Sequence, residues 1–182
     1  TLLYPKQFTG KERCVYLVGE ANFKVKPDKK HPFIVKSDDF QVTALGTEFN
    51  VSAYPENQEI STALLSGSVL VEWGNLTQRT VLQPDEQLTY DKENRQFRVV
   101  HPDMADVTAW QRGELVFNEM TVEDIIRVLE RKYNYTFVYS LNQLKKDRLS
   151  FRFKDKAPLA EVMDIIVDVA VSYTHLTLPT IL

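Results

Sequence analysis

Cysteine, histidine and long apolar runs are scarce in this sequence of 182 residues. Cys14 is its single cysteine, which excludes an internal disulfide and a cysteine-rich zinc site. No stretch reaches the roughly 18 consecutive apolar residues of a membrane-spanning helix. The histidines at 31, 101 and 175 are scattered, and no catalytic or metal-binding motif such as H-E-x-x-H, C-x-x-C or G-x-S-x-G is present. These absences argue against a metalloenzyme, a redox enzyme and a serine hydrolase, and we predict no enzyme activity and no cofactor.

A large excess of charge is also lacking. Lysine and arginine total 22 and aspartate and glutamate total 25, which gives a net charge of −3. Such a chain has no general attraction to nucleic acid or to anionic membranes, so we predict no nucleic-acid partner. Apolar residues make up 43% and charged residues 26%, which is typical of a folded globular chain.

Short strands are predicted from about residue 12 to residue 100. Ala21 to Lys26 and Glu48 to Tyr54 alternate apolar with polar residues, and Phe97 to Val100 ends the series. Turn residues follow every eight to twelve positions, as in the segment 27–32, which contains two prolines. The spacing predicts an all-β sandwich, barrel or solenoid, and strand count alone does not choose among these.

The pattern changes after His101-Pro102-Asp103. Residues 121–133 have apolar side chains at helical spacing behind a Thr121 N-cap, and residues 135–139 are predicted to form a strand. Leu141 to Lys145 is predicted as a helical turn. Residues 149–154 alternate cleanly, and Pro158 begins a second helix whose apolar stripe is Leu159, Val162, Met163 and Ile166.

The predicted fold is therefore mainly β plus α+β. An all-β domain at residues 1–103 precedes a small βαββα(β) domain at residues 104–170. Residues 171–182 differ in composition from the rest of the chain and contain no Asp, Glu, Lys or Arg. We interpret them as a non-native tail, with a final strand as the alternative.

Few side chains suggest a chemical function. Trp73 and Trp110 could stack on sugars, although core packing is the favoured interpretation for each. Cys14 is predicted to be a buried small hydrophobic residue. The basic residues Arg127, Arg131 and Lys132 are interpreted as a solvated helix face, with a patch for an acidic partner as the alternative.

The strand near residue 150 offers the most specific candidate site. Arg148, Ser150, Arg152 and Lys154 are predicted to share its exposed face, since their neighbours at 149, 151 and 153 are apolar. If this strand lies at a sheet edge, a partner protein could add a strand beside it. We therefore predict these residues as a partner-binding surface.

Several motifs in order resemble one known family, the FecR-type anti-sigma regulators. The resemblance covers residues 4 to 170 and rests on segments similar to G-E-A-x-F-x-V, A-L-G-T-x-F-N-V and W-x-x-G-x-L-x-F, which begin at Gly19, Ala44 and Trp110. The segments Leu65 to Val69 and Leu82 to Gln87 add to it. Asp85 departs from the family pattern, which has glycine there.

The resemblance implies signalling without catalysis. Family members are single-pass inner-membrane proteins whose periplasmic part senses the signalling domain of a TonB-dependent outer-membrane transporter. Their cytoplasmic part controls an extracytoplasmic-function sigma factor. By this resemblance we expect a truncated all-β FecR-like domain and a C-terminal unit like the short N-terminal domain of secretins and TonB-dependent receptors. We expect a membrane helix and a sigma-binding segment outside this sequence, and a transported ligand that is an iron chelate or a glycan. The alternative is a carbohydrate-binding β module.

Overall fold

The computed structural model describes residues 1–38, 40–139, 148–154 and 157–170. Residues Thr1–Thr108 form one compact unit, and a second unit begins at Ala109. No helix within the described ranges combines the length and apolar character that crossing a bilayer requires. The predicted helical turn at 141–145 and the predicted non-native tail at 171–182 lie outside the described residues.

The first unit is built almost entirely of strands. In chain order they are β1 (Leu2–Leu3), β2 (Arg13–Leu17), β3 (Gly19–Lys24), β4 (Phe33–Ser37), β5 (Phe40–Ala44), β6 (Glu48–Ala53), β7 (Glu59–Ser66), β8 (Val69–Trp73), β9 (Gln78–Leu82), β10 (Gln87–Asp91) and β11 (Phe97–Val100). A short helix, α1 (Met104–Val107), follows them and contacts β7. The division after Thr108 therefore falls slightly later than the sequence-predicted boundary at residues 103 and 104.

The strands form two sheets that share one core. The six-stranded sheet has the order β1-β2-β4-β5-β8-β9, and the five-stranded sheet has the order β11-β10-β7-β6-β3. Pairing is antiparallel throughout the described strands except between β2 and β4, which run parallel. Because side chains from both sheets pack in one apolar layer, the first unit is a β-sandwich.

Alternation along each strand supplies this layer. Val42 on β5 and Val71 on β8 are opposite each other in register and fully buried. Phe49 on β6, which is a strand of the other sheet, belongs to the same core. Phe23 stacks on Phe49 with ring centroids 5.4 Å apart. Offset stacking of this kind adds about 0.5–1.5 kcal/mol beyond burial of the rings.

Gly46 allows two backbone segments to approach each other closely. Val25 N donates to Thr47 O and Asp28 N donates to Leu45 O, so the chain around Pro27 runs beside Gly46. A Cβ atom on Gly46 would lie 2.6 Å from Pro27 Cα, and the Gly46 φ is +149°. Only glycine fits at this contact without a backbone shift.

The turn after β9 contains the departure from the family pattern. Asp85 adopts φ +68°, the left-handed conformation for which glycine is preferred, directly after Pro84. Glu86 N donates to Gln83 O, and Gln83 N donates to the Glu86 carboxylate at 2.8 Å. The turn therefore forms with aspartate, at a cost in backbone strain that aspartate bears better than most residues.

The second unit is a small α+β fold. A 3₁₀ turn at Ala109–Arg112 leads into β12 (Leu115–Thr121), α2 (Val122–Tyr133), β13 (Arg148–Phe153) and α3 (Leu159–Ala170). The strands β12 and β13 pair antiparallel, and the core behind them includes Phe117, Ile125, Leu129 and Val162. The mainly β plus α+β fold class is confirmed.

Helix α2 begins as its sequence predicts. Thr121 has extended backbone angles and its hydroxyl accepts a hydrogen bond from Asp124 N at 3.2 Å. The helix ends at Tyr133, and its C-cap residue Asn134 adopts the left-handed conformation with φ +56°. Of the stripe predicted on α3, Val162, Met163 and Ile166 pack in the core of the second unit, and Leu159 is half-buried.

The predicted strand at 135–139 is wrong. These residues form no strand in the structure. Phe137 N donates to the Glu130 carboxylate at 2.9 Å, so a side chain from α2 takes the place of a neighbouring strand. The β-branched and aromatic composition of this segment therefore reflects packing, since Phe137 and Tyr139 lie against the core of the second unit.

We expect Gly46→Ala to lower the free energy of unfolding of the first unit by about 2–3 kcal/mol, because the new methyl group must displace Pro27. Chemical denaturation followed by tryptophan fluorescence measures the change. Gly10→Ala is the matched control, since a Cβ atom there meets nothing closer than 3.9 Å. An unchanged stability of Gly46→Ala would contradict the close approach.

We expect Asp85→Gly to stabilise the first unit by about 0.5–1 kcal/mol, because glycine removes the left-handed strain at this turn. Asp85→Ala should be destabilising instead, since alanine keeps the Cβ atom and loses the tolerance of aspartate for this conformation. Denaturation midpoints of both variants measure this opposite pair of shifts. Equal midpoints for the glycine and alanine variants would show that the turn relaxes out of the left-handed conformation.

Candidate functional site

The predicted partner-binding residues lie on β13 or directly after it, and their exposure alternates as predicted except at Arg148, which is half-buried. Ser150, Arg152 and Lys154 are exposed, while Phe153 is buried and Phe151 is half-buried against the core. Phe151 also packs edge-on to Phe153 and contacts Phe117 of β12, with ring centroids 5.6 Å and 4.9 Å apart. The apolar face of β13 thus holds the strand in place while its polar face lies in solvent.

A β-bulge interrupts the pairing of β12 with β13 opposite Ser150. The register shifts between Phe117 and Met120, and Glu119 within the bulge adopts φ +51°. Glu119 N donates to Ser150 Oγ at 2.9 Å, and the Arg148 guanidinium donates to Glu119 O at 2.7 Å. Two of the predicted partner-binding side chains therefore satisfy the backbone of the bulge.

This geometry divides the predicted site into two parts. Ser150 and Arg148 stabilise the bulge, and Ser150 Oγ also lies 3.3 Å from the Glu119 carboxylate. Arg152 and Lys154 lie further along the same exposed face and carry its positive charge. The bulge itself was missed by the sequence reasoning, although the two successive polar residues between Phe117 and Met120 break the alternation there.

The basic residues of α2 are engaged by the second unit itself. Arg127 forms ion pairs with Glu123 and with Asp124, the latter at 3.2 Å. Lys132 donates to the Gly113 carbonyl. Pairs one turn apart on a helix stabilise it by a few tenths of a kcal/mol. Arg127 and Lys132 therefore serve the helix and its neighbours, and the alternative of a patch for an acidic partner loses support.

Two tyrosines of this unit are held in their neutral form. Burial raises the pKa of Tyr133, to which the nearby Glu161 carboxylate adds, and the Tyr133 hydroxyl donates to Ala157 O at 2.6 Å. Burial also raises the pKa of Tyr139. Both phenols are thus weaker acids than free tyrosine, which suits a structural role and not that of a nucleophile.

The tryptophans differ from each other in exposure. Trp73 is 2% exposed and belongs to the core of the sandwich, which confirms core packing and removes the stacking platform that the carbohydrate-binding alternative required. Trp110 is 41% exposed, so its predicted core packing is wrong. It lies in the 3₁₀ turn that positions Leu115 and Phe117 of the same motif in the core.

The remaining candidates are ordinary surface or partly buried groups. Cys14 is a free thiol that is half-buried on β2, so full burial was predicted wrongly. His31 pairs with Asp28 at 2.8 Å, and the hydrogen bond from that imidazole holds the pKa of Asp28 below its ordinary value. Among the described residues, no group of His, Cys, Asp or Glu is arranged to hold a metal ion.

Comparison with known proteins gives matches to both units. Residues 1–70 match the family model for FecR protein, and residues 114–175 match the model for the FecR C-terminal domain. Two crystal structures of a protein assigned as an anti-sigma factor from Parabacteroides distasonis ATCC 8503 are similar, each at 32% identity. Their TM-scores are 0.85 and 0.84; the matches cover 92% and 91% of this chain and 78% and 77% of those chains. No curated protein sequence matches.

We expect Ser150→Ala to expose the Glu119 amide, because the bulge loses the acceptor of that N–H. Amide hydrogen exchange of the full chain measures this, and the exchange rate at Glu119 should rise several-fold. Ser66→Ala, an exposed serine of β7, is the control and should leave Glu119 unchanged. Equal exchange in both variants would mean that the hydroxyl does not hold the bulge.

Proposed function

Because this chain belongs to the FecR family of anti-sigma factors, we propose that it is the periplasmic sensing part of a transmembrane regulator. Its role is regulatory, and the family is typically non-enzymatic. In this proposal the second unit binds the signalling domain of a TonB-dependent outer-membrane transporter. The observation that carries it is the exposed polar face of β13, which lies within the part of the chain that matches the family's C-terminal domain.

The proposed docking surface consists of the exposed face and strand backbone of β13. Arg152 and Lys154 give this face positive charge, so an acidic surface on the signalling domain would be attracted to it. Within the described part of the chain, β12 is the strand that pairs with β13. A strand from the partner could extend this small sheet by main-chain hydrogen bonds, with Arg152 and Lys154 selecting its side chains.

Strand addition suits the rigidity of this surface. Phe151 and Phe153 anchor the strand to the core, and the Arg148 and Ser150 contacts fix the bulge beside it. A pre-formed strand loses little conformational entropy on binding, which leaves more of the contact energy for affinity. The second unit is therefore suited to recognise a partner without a large rearrangement of its own.

Signal relay is proposed to follow the family arrangement. A membrane helix attached to the periplasmic units would pass the signal to a cytoplasmic segment that acts on an extracytoplasmic-function sigma factor. Binding can drive such a relay only if the partner favours one of two states of the regulator. In this proposal transporter binding at β13 provides that difference in affinity.

We expect the double substitution Arg152→Glu and Lys154→Glu to weaken binding of the transporter signalling domain at least tenfold, since an attraction becomes a repulsion. Isothermal titration calorimetry of the full chain against the signalling domain encoded beside it measures this. Binding by the unsubstituted chain should weaken as salt concentration rises. The control is Lys6→Glu with Lys11→Glu, which changes the net charge equally at exposed positions of the first unit.

The outcomes separate the partner from the surface. Absence of binding by the unsubstituted chain would overturn the transporter proposal. Equal affinities of the β13 variant and the unsubstituted chain would place the docking surface elsewhere. Equal losses in the β13 variant and the control would show that only net charge matters.

A further inference from the structure

The last strand of the first unit is an unusual sheet edge. All residues of β11 are exposed, although three of them are apolar: Phe97, Val99 and Val100. Among the described strands β11 pairs with β10 alone, so its other side is the edge of the five-stranded sheet. Proteins normally protect such edges with charges, prolines or a covering element, and an open apolar edge invites pairing with another chain.

The backbone groups on this edge can be assigned from the pairing. Asp91 N donates to Gln96 O, and Leu64 N donates to Glu86 O on the opposite side of β10. Because hydrogen-bonded and non-hydrogen-bonded pairs alternate in an antiparallel ladder, Arg98 and Val100 direct their backbone groups towards β10. The N–H and C=O groups of Phe97 and Val99 therefore point to the open edge.

The side chains of Phe97 and Val99 lie on the core side of the sheet. They are opposite Tyr90 and Leu88, which are both in the core of the sandwich. Phe97 contacts Trp73 of the other sheet, with ring centroids 4.8 Å apart, yet Phe97 is 51% exposed and Val99 is 40% exposed. The apolar layer is thus incompletely covered along β11, and one further strand would cover it.

A small cavity lies beside the turn that leads into β11. It has a volume of about 310 Å³ and is lined by Trp73, Asn75, Gln78, Tyr90 and Arg95 among others. Arg95 makes no ion pair with any described residue. The Arg95 guanidinium carries a positive charge and only donor groups, so the cavity suits a carboxylate.

We propose that β11 is a second docking edge, which accepts an extended segment of a partner protein by strand addition. The segment has apolar side chains at alternate positions, which cover Phe97 and Val99, and an acidic residue at the end beside Arg95. This surface belongs to the first unit and is independent of the transporter contact proposed for β13.

A second copy of this chain is a weaker candidate for the same edge. The strand has only four residues, and pairing two such strands buries far less than the roughly 800 Å² per partner of a stable interface. A short peptide segment needs no such area, because main-chain hydrogen bonds and one anchored side chain provide its affinity. The charge of Arg95 further favours a partner that brings an acid.

Selection of random 12-residue linear peptides on the full chain tests this proposal. We expect enrichment of peptides with alternating apolar residues and an acidic residue at one end. Val99→Pro should reduce their affinity at least tenfold, since it removes an N–H from the open edge while the pairing with β10 is kept. Val99→Thr keeps that N–H and should bind within about twofold. Arg95→Glu should weaken the acidic peptides several-fold.

Amide hydrogen exchange gives a readout that needs no variant. Bound peptide should slow exchange at Phe97 and Val99 and leave Arg98 and Val100 little changed. Peptides that bind Val99→Pro as well as the unsubstituted chain, or a selection without enrichment over an unrelated protein, would overturn the proposal. Dimerisation of the chain that Val99→Pro abolishes would also overturn it, because the occupant would then be a second copy.

Discussion

The two-residue period of the β-strand is the constraint on which both units depend. Successive side chains on a strand point to opposite faces, so a strand that contributes to a core must place its other side chains outside it. In the sandwich this rule brings Val42, Val71 and Phe49 into one layer. In the second unit it puts Phe151 and Phe153 against the helices and leaves Ser150, Arg152 and Lys154 outside. The polar face of β13 that we propose for docking is the outer half of the same pattern.

Local patterns in the sequence were sufficient for most of the elements. Alternation predicted strands at residues 48–54 and 149–154, which the structure has at Glu48–Ala53 and Arg148–Phe153. The apolar spacing with the Thr121 cap predicted α2. These are features in which neighbouring residues determine the outcome. The segment 135–139 has the composition of a strand but no strand beside it, since Glu130 takes the Phe137 amide. The composition of a segment shows that it could form a strand, but it does not show whether a neighbouring strand is available for pairing.

Contacts between distant parts of the chain were harder to predict from the sequence. The parallel pairing of β2 with β4 and the sharing of one core by two sheets depend on which strands meet. No local pattern encodes those choices, and the sandwich could not be told from a barrel or solenoid. The candidate site shows the same limit, because the polar face of β13 was predictable and the capture of Arg148 and Ser150 by the Glu119 backbone was not.

The sequence predicted which surface could bind a partner, but it did not predict how binding would produce a signal. A regulator needs rigid faces that a partner can recognise and few reactive groups. Both tyrosines with raised pKa values in the second unit are neutral and engaged in packing. The open edge of β11 became visible only through exposure, since its sequence is that of an ordinary buried strand. For an apolar strand at the edge of a sheet, the structure therefore shows an exposure that the sequence does not predict.

The bulge at Glu119 also sets the phase between a strand and a helix. Before it, odd-numbered residues of β12 face the core, as Leu115 and Phe117 do; after it, the even-numbered Met120 does. The extra residue thus changes the core-facing positions from odd-numbered to even-numbered residues just before Thr121. The chain therefore enters α2 with the Thr121 hydroxyl at the N-terminus of the helix. A relative without the extra residue would need its capping residue one position earlier. Length differences at this point therefore indicate a shifted junction and not a lost element.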